Sequence, residues 1–151
     1  MVRIACYQPD IAQNLGAIIR IAACFDCPLE VVGPCGFPFS VKGLRRTAMD
    51  YADLARITHH VSWDAFRADR APGRLVLLTT RGATPLWAHV FAPDDTLLLG
   101  RESAGVPDEV HAAADARLTI PMPGGGRSLN VAVSAGIAAA EAQRQCRLSV
   151  R

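Results

Sequence analysis

The sequence is short of long apolar runs. Its longest nearly uncharged stretch, Ser128 to Ala140, is interrupted by Asn130, Ser134 and Gly136. It is too short to cross a bilayer, and no membrane partner is expected. Nothing at the amino-terminal end reads as a signal peptide, because Met1-Val-Arg-Ile-Ala-Cys6 runs straight into a strand-like segment. The expected location is cytoplasmic. Five cysteines, Cys6, Cys24, Cys27, Cys35 and Cys146, are an odd number without an export signal. That argues against a disulfide framework. Cys24-Phe-Asp-Cys27 lacks the second pair or histidine cluster of a zinc site, so no metal is expected. Lysine is nearly absent too, since 15 of the 16 basic residues are arginine and only Lys42 is lysine. The net charge of +2 is too small to argue for nucleic acid by itself.

What is present is an alternation. Val2–Tyr7, Leu29–Val32, Arg56–Val61, Leu75–Thr80, Thr96–Leu99 and Leu118–Ile120 read as strands. Ile11–Phe25, Val41–Met49, Trp63–Asp69, Pro107–Ala114 and Leu129–Arg144 read as helices. Asp10-x-x-Gln13 resembles a capping box for the first helix, and Ser128 is a candidate N-cap for the last. The pattern predicts a single α/β domain over residues 1–151 with a mainly parallel sheet. No repeat or linker marks a second domain. Ligands of such folds lie beyond the carboxyl ends of strands. Gly-bearing loops follow the strands ending at Thr80, Leu99 and Ile120, which predicts a shared site.

Three stretches carry candidate chemistry. In Asn14-Leu-Gly-Ala-Ile-Ile-Arg20, Gly16 and Arg20 share a helix face. A mid-helix glycine costs about 1 kcal/mol against alanine, so Gly16 implies a packing reason. Arg20 in an apolar helix needs a partner for its charge or a route to solvent. In Leu97-Leu-Leu-Gly-Arg-Glu-Ser-Ala-Gly-Val-Pro107, a buried strand stops at Gly100, with Glu102 in the following turn. In Ile120-Pro-Met-Pro-Gly-Gly-Gly-Arg-Ser-Leu-Asn130, three glycines allow close backbone approach to a ligand at a helix start. Taken singly, they also fit Arg20 reaching a surface carboxylate, an ordinary strand–turn–helix connection with a solvated Glu102, and a flexible loop before an N-capped helix.

Taken in this order and spacing, the three stretches resemble the signature motifs of the SPOUT superfamily of RNA methyltransferases. Tyr7-Gln-Pro-Asp-Ile11, Gly36-Phe37, Leu44-Arg-Arg46 and Asp50-Tyr51 are similar to its small TrmL branch, the tRNA (cytidine/uridine-34)-2′-O-methyltransferases. The resemblance covers the whole chain. It implies a C-terminal deep trefoil knot, S-adenosylmethionine as methyl donor, tRNA at its anticodon region as substrate, and a homodimer with the last helix in the interface. By this resemblance Leu78, Gly100, Ile120 and Ser128 match the cofactor-binding positions. Arg20 matches the catalytic arginine, with Asn14, Glu102, Ser128 and Asn130 orienting it and the ribose. A guanidinium stays protonated, so Arg20 is expected to hold phosphate and stabilise a developing alkoxide. Arg45-Arg46 is the expected RNA contact, one side chain on phosphate and the other on a carboxylate. The small residues Ala132, Ala135, Gly136 and Ala139 fit either the dimer interface or an intrachain contact. Arg101 stands where the family pattern has proline, and is expected to loosen that turn or add a phosphate contact. Three other readings compete: 2′-O-methylation elsewhere in tRNA or rRNA, a non-catalytic RNA-binding module, and a Rossmann dehydrogenase. The last is disfavoured because no GxGxxG follows the first strand.

Overall fold

The computed structural model describes residues 1–82 and 84–148. Seven strands form one sheet: β1 (Arg3–Tyr7), β2 (Leu29–Val32), β3 (Ile57–His60), β4 (Leu75–Leu78), β5 (Thr84–Pro85), β6 (Thr96–Leu99) and β7 (Ala116–Thr119). Their spatial order is β3-β2-β1-β6-β4-β7-β5, and every pairing is parallel. The helices are α1 (Ala12–Cys24), α2 (Val41–Ala48), α3 (Tyr51–Leu54), α4 (Trp63–Asp69), α5 (Asp108–Ala113) and α6 (Val131–Leu148), with a 3₁₀ turn at Leu86–Ala88.

The central strands are continuously apolar because both faces are covered. Ile4, Cys6, Leu29, Val31, Val76, Leu78, Leu97 and Leu99 face α1, α2, α3 and α6. Ala5, Tyr7, Val32, Leu75, Leu77 and Leu98 face α4 and α5, where Trp63, Phe66 and Val110 fill the layer. One polar pair interrupts this second layer. Buried Glu30 and His60 meet at 2.6 Å between Oε2 and Nε2, which makes His60 a structural residue with a partner.

Local signals account for several helix starts. Ser40 Oγ accepts from the Gly43 N–H at 2.9 Å to open α2, and Ser62 Oγ accepts from the Ala65 N–H at 3.1 Å to open α4. The capping box is a correction. Ile11 is the N-cap of α1, with no side-chain cap. The Asp10 carboxylate is taken up elsewhere. Neither α3 nor the two-residue β5 was expected, since both are too short to carry a period.

Helix α6 folds back over the sheet and packs along α1. Ala132, Ala135 and Ala139 are buried there, and a β-carbon on Gly136 would lie 3.6 Å from Ile21 Cδ1. The small face therefore serves the intrachain core. Gly16 allows the other close contact of α1. A β-carbon there would come within 2.6 Å of Thr47 Cβ and 2.9 Å of the Thr47 carbonyl carbon. The backbone of α2 cannot give way cheaply. Gly16→Ala is thus expected to cost roughly 1–3 kcal/mol by overpacking in urea denaturation. Stabilisation, as helix propensity alone would give, would show that this contact does not limit α1.

Candidate functional site

The carboxyl ends of β4, β6 and β7 open onto one cavity of about 470 Å³. Its size suits a small organic ligand. Leu78, Gly100, Ile120 and Ser128 all lie in its wall, together with Asn14, Glu102 and Asn130. The three loops grouped from sequence therefore converge.

Glycines shape this wall. A β-carbon on Gly100 would lie 2.8 Å from the Gly105 backbone. Arg101 and Gly105 exchange two backbone hydrogen bonds of 2.9 Å, and Gly105 has a φ of 61°. Gly82 presses the loop after β4 against β7, where a β-carbon would be 2.6 Å from the Leu118 carbonyl carbon. The loop after β7 is different. A β-carbon on Gly124 or Gly125 would meet nothing within 4 Å, and that face of the loop is open.

Asn130, and not Ser128, caps α6. Its Oδ1 accepts from the Ala132 N–H at 2.8 Å and the Val133 N–H at 3.3 Å. Its Nδ2 donates to Asn14 Oδ1 at 3.0 Å, joining the starts of α1 and α6 at the rim. The helix begins at Val131, two residues later than expected. Ser128 is exposed and its hydroxyl faces no partner among the described residues. It is left free for a ligand.

Glu102 sits beside Asp10. The Asp10 N–H donates to Glu102 Oε2 at 3.1 Å, and the Ser103 hydroxyl donates to Asp10 Oδ2. Burial first, and then the Asp10 carboxyl, hold Glu102 above the usual carboxylate range. Asp10 is held below that range, chiefly by its hydrogen bond with Glu102 and then by Ser103. Arg101 turns inward. Its Nη1 donates to Gln8 Oε1 at 3.3 Å, and its Cζ lies 5.6 Å from the Tyr7 ring centroid. The expected loosened turn is instead bridged.

The basic candidates lie outside the cavity wall. Arg20 is exposed, with Cζ 4.7 Å from the Tyr51 ring centroid. Its partner is an aromatic face and not a carboxylate. Arg45 Nη2 holds Asp53 Oδ1 at 2.7 Å, while Arg46 has no partner among the described residues. The division expected of this pair is observed on its carboxylate side. All five cysteines are free thiols. No metal-binding cluster occurs among the described residues.

Sequence reasoning missed Asp10 and Ser103, because the link of Asp10 to Glu102 and Ser103 is non-local. It also missed Thr79, Thr80 and Met122 in the wall. Arg127 was missed as well, although it stands between Gly126 and Ser128 in the open loop. It too has no partner among the described residues.

Residues 1–140 match the model of the SpoU rRNA methylase family. A tRNA (cytidine(34)-2′-O)-methyltransferase of Beijerinckia indica is 50% identical over 144 residues, covering 94% of this chain and 90% of that protein. A solved structure described by the 2-OH methylation of C/U34 on tRNA superposes with a TM-score of 0.90 at 41% identity. The match covers 100% of this chain and 98% of that one. An AdoMet-bound rRNA methyltransferase of Sinorhizobium meliloti superposes with a TM-score of 0.82 at 31% identity, covering 95% of this chain and 56% of the other.

The cap assignment separates the two polar residues of the last loop. Asn130→Ala is expected to cost about 1 kcal/mol in chemical denaturation, and Ser128→Ala close to nothing. The reverse order would restore Ser128 as the cap.

Proposed function

This chain belongs to the SpoU rRNA methylase family, and we propose that it methylates the ribose 2′-oxygen of cytidine or uridine 34, the wobble nucleotide of tRNA. The observation that carries this reading is the single cavity built from all three signature loops, in a chain half identical to a wobble 2′-O-methyltransferase over nearly its whole length.

The donor would be S-adenosylmethionine. The wall suits it, with backbone at Gly100 and Ile120, apolar surface at Leu78 and an unbonded hydroxyl at Ser128. The AdoMet-bound relative supports the same assignment. Bound there, it supplies a sulfonium-borne methyl group, a good leaving-group arrangement. The protein then has to exclude water, orient the 2′-hydroxyl and make its oxygen more nucleophilic. Asn14, Glu102, Ser128 and Asn130 would orient the ribose. Arg20 would hold the adjacent phosphate and stabilise the developing alkoxide, its guanidinium lying over the Tyr51 ring. Arg46 would take phosphate from the anticodon region, with Arg45 fixed by Asp53 beside it.

A homodimer would bring further groups to the RNA surface. It is supported by Ile11, Leu129 and Val133, which remain 42%, 40% and 49% exposed around the Asn14–Asn130 contact. We assign residues 1–151 to one methyltransferase domain. A C-terminal trefoil knot is supported by contacts of Thr79, His89 and Phe91 with the later chain. The Thr79 N–H donates to the Leu118 carbonyl at 2.9 Å, and Gln145 on α6 bonds both His89 and Phe91. No helix among the described residues is long and apolar enough to cross a membrane. A cytoplasmic site of action fits a tRNA substrate.

Nucleoside mass spectrometry of tRNA from a deletion strain is expected to lack 2′-O-methylpyrimidine at the wobble position. An unchanged wobble nucleoside would redirect the reading to another tRNA position or to rRNA. Arg20→Ala should retain S-adenosylmethionine binding by calorimetry while methyl transfer falls about 100-fold or more. Near-normal turnover would remove Arg20 from the mechanism. Arg46→Ala should reduce the slope of log K against log salt by about 0.7–0.9 for tRNA binding. An equal slope in that variant would assign the phosphate contact elsewhere.

A further inference from the structure

We propose that Asp10 is a positioning residue for Glu102, fastening the loop after β6 to the start of α1 through a carboxyl–carboxylate hydrogen bond that contains one shared proton. This rests on the reading of the cavity as the methyl-transfer site.

The geometry offers a place for the proton. Asp10 Oδ2 is satisfied by the Ser103 hydroxyl, and the Asp10 N–H already uses Glu102 Oε2. Asp10 Oδ1 is buried with no donor from the protein. An ionised carboxylate beside a second ionised carboxylate would leave that oxygen unsatisfied and add charge repulsion. A protonated Glu102 supplies the missing donor. The opposite displacements of the two groups, Glu102 upward and Asp10 downward, agree with a proton resident on Glu102.

The surroundings keep the pair closed. A β-carbon on Gly36 would lie 2.7 Å from Asp10 Cβ, so the segment after β2 packs directly on this side chain. The neighbouring titratable groups are Cys6 on β1 and Cys35 after β2. Burial pushes both thiols up, so they stay neutral and do not compete for the proton. Arg101, in the same loop, is turned to Gln8 and Tyr7 and makes no ion pair with either carboxyl. Asp10 does not line the cavity, whereas Ser103 stands in its wall beside Glu102. They act by fixing where Glu102 stands on the cavity wall.

The consequence has a sign. While Glu102 keeps its proton the tie is closed. As pH rises through its elevated pKa, two carboxylates face each other and the tie opens. In Asp10→Asn the amide can donate to an ionised Glu102, so the Glu102 pKa should fall back toward the ordinary range.

The test uses protein labelled with carbon-13 at the glutamate side-chain carboxyls. Only Glu30, Glu102, Glu109 and Glu141 would report, and Glu102→Gln assigns the relevant signal. The wild-type Glu102 signal is expected to titrate above the other exposed glutamates. It should move down in Asp10→Asn and stay elevated in Asp10→Glu. An unmoved Glu102 titration in Asp10→Asn overturns the proposal. In methyl-transfer assays Asp10→Ala is expected to lower kcat about 10-fold, with unchanged S-adenosylmethionine affinity and partial recovery in Asp10→Glu. An unaltered kcat overturns the positioning role. Should Asp10→Ala fail to fold, Ser103→Ala loosens the same carboxylate from outside and must lower kcat in the same direction. Failure of the wild-type protein to bind S-adenosylmethionine would instead defeat the functional reading, and the titration would still decide the proton.

Discussion

One side chain ties the two ends of the site together. Asn130 caps α6 with its oxygen and reaches Asn14 on α1 with its nitrogen, across 116 residues of sequence. A shift of α6 along α1 would break the cap, the inter-helix bond, or both. The loop before Asn130 is therefore pinned at one end, while a β-carbon on Gly124 or Gly125 would meet nothing within 4 Å. The alanine face of α6 extends the same constraint into the core. Ala132, Ala135 and Ala139 let the helix lie close to α1, so the position of Asn130 is set by packing as well as by its hydrogen bond.

The sheet was legible because its central strands are buried on both faces, which writes runs such as Leu75-Val-Leu-Leu78 into the sequence. The helix starts expected at Val41 and Trp63 stand where Ser40 and Ser62 cap them, caps that were not anticipated from sequence. Helix starts were misread where a local motif was recruited to a distant partner. Asp10-x-x-Gln13 has the form of a capping box, yet the Asp10 carboxylate accepts from the Ser103 hydroxyl and the Asp10 N–H donates to Glu102, both more than 90 residues away. Ser128 likewise has the chemistry of a cap, but Asn130 stands closer to the helix start. The cavity could be anticipated because strands of a parallel sheet end on one side. The carboxyl pair could not, since no local period connects its members.

The arginines sort by partner rather than by position. Arg3, Arg45, Arg56, Arg74, Arg81 and Arg144 are each ion-paired with a carboxylate. Exposed pairs of this kind contribute little stability. They do, however, occupy groups that would otherwise attract phosphate indiscriminately. Arg20, Arg46 and Arg127 have no such carboxylate among the described residues. They lie on α1, on α2 packed against it, and on the loop leading to Asn130. A small net charge thus coexists with three arginines that have no carboxylate partner among the described residues. This is why the overall charge was uninformative about RNA.

Arg101 restrains the loop that carries Glu102. Proline would restrict this turn through its ring and would offer no backbone N–H. Arginine restores a donor, and the Arg101 N–H uses it on the Gly105 carbonyl at 2.9 Å, with the return bond of the same length. Its side chain then crosses to Gln8 and Tyr7 at the end of β1. The turn is held by two hydrogen bonds and a cross-strand contact in place of a ring. Glu102, the next residue, is held in addition by Asp10. The restraint on Glu102 is therefore distributed over β1, the start of α1 and Gly105. Its position on the cavity wall is therefore set by Arg101 and Asp10 together.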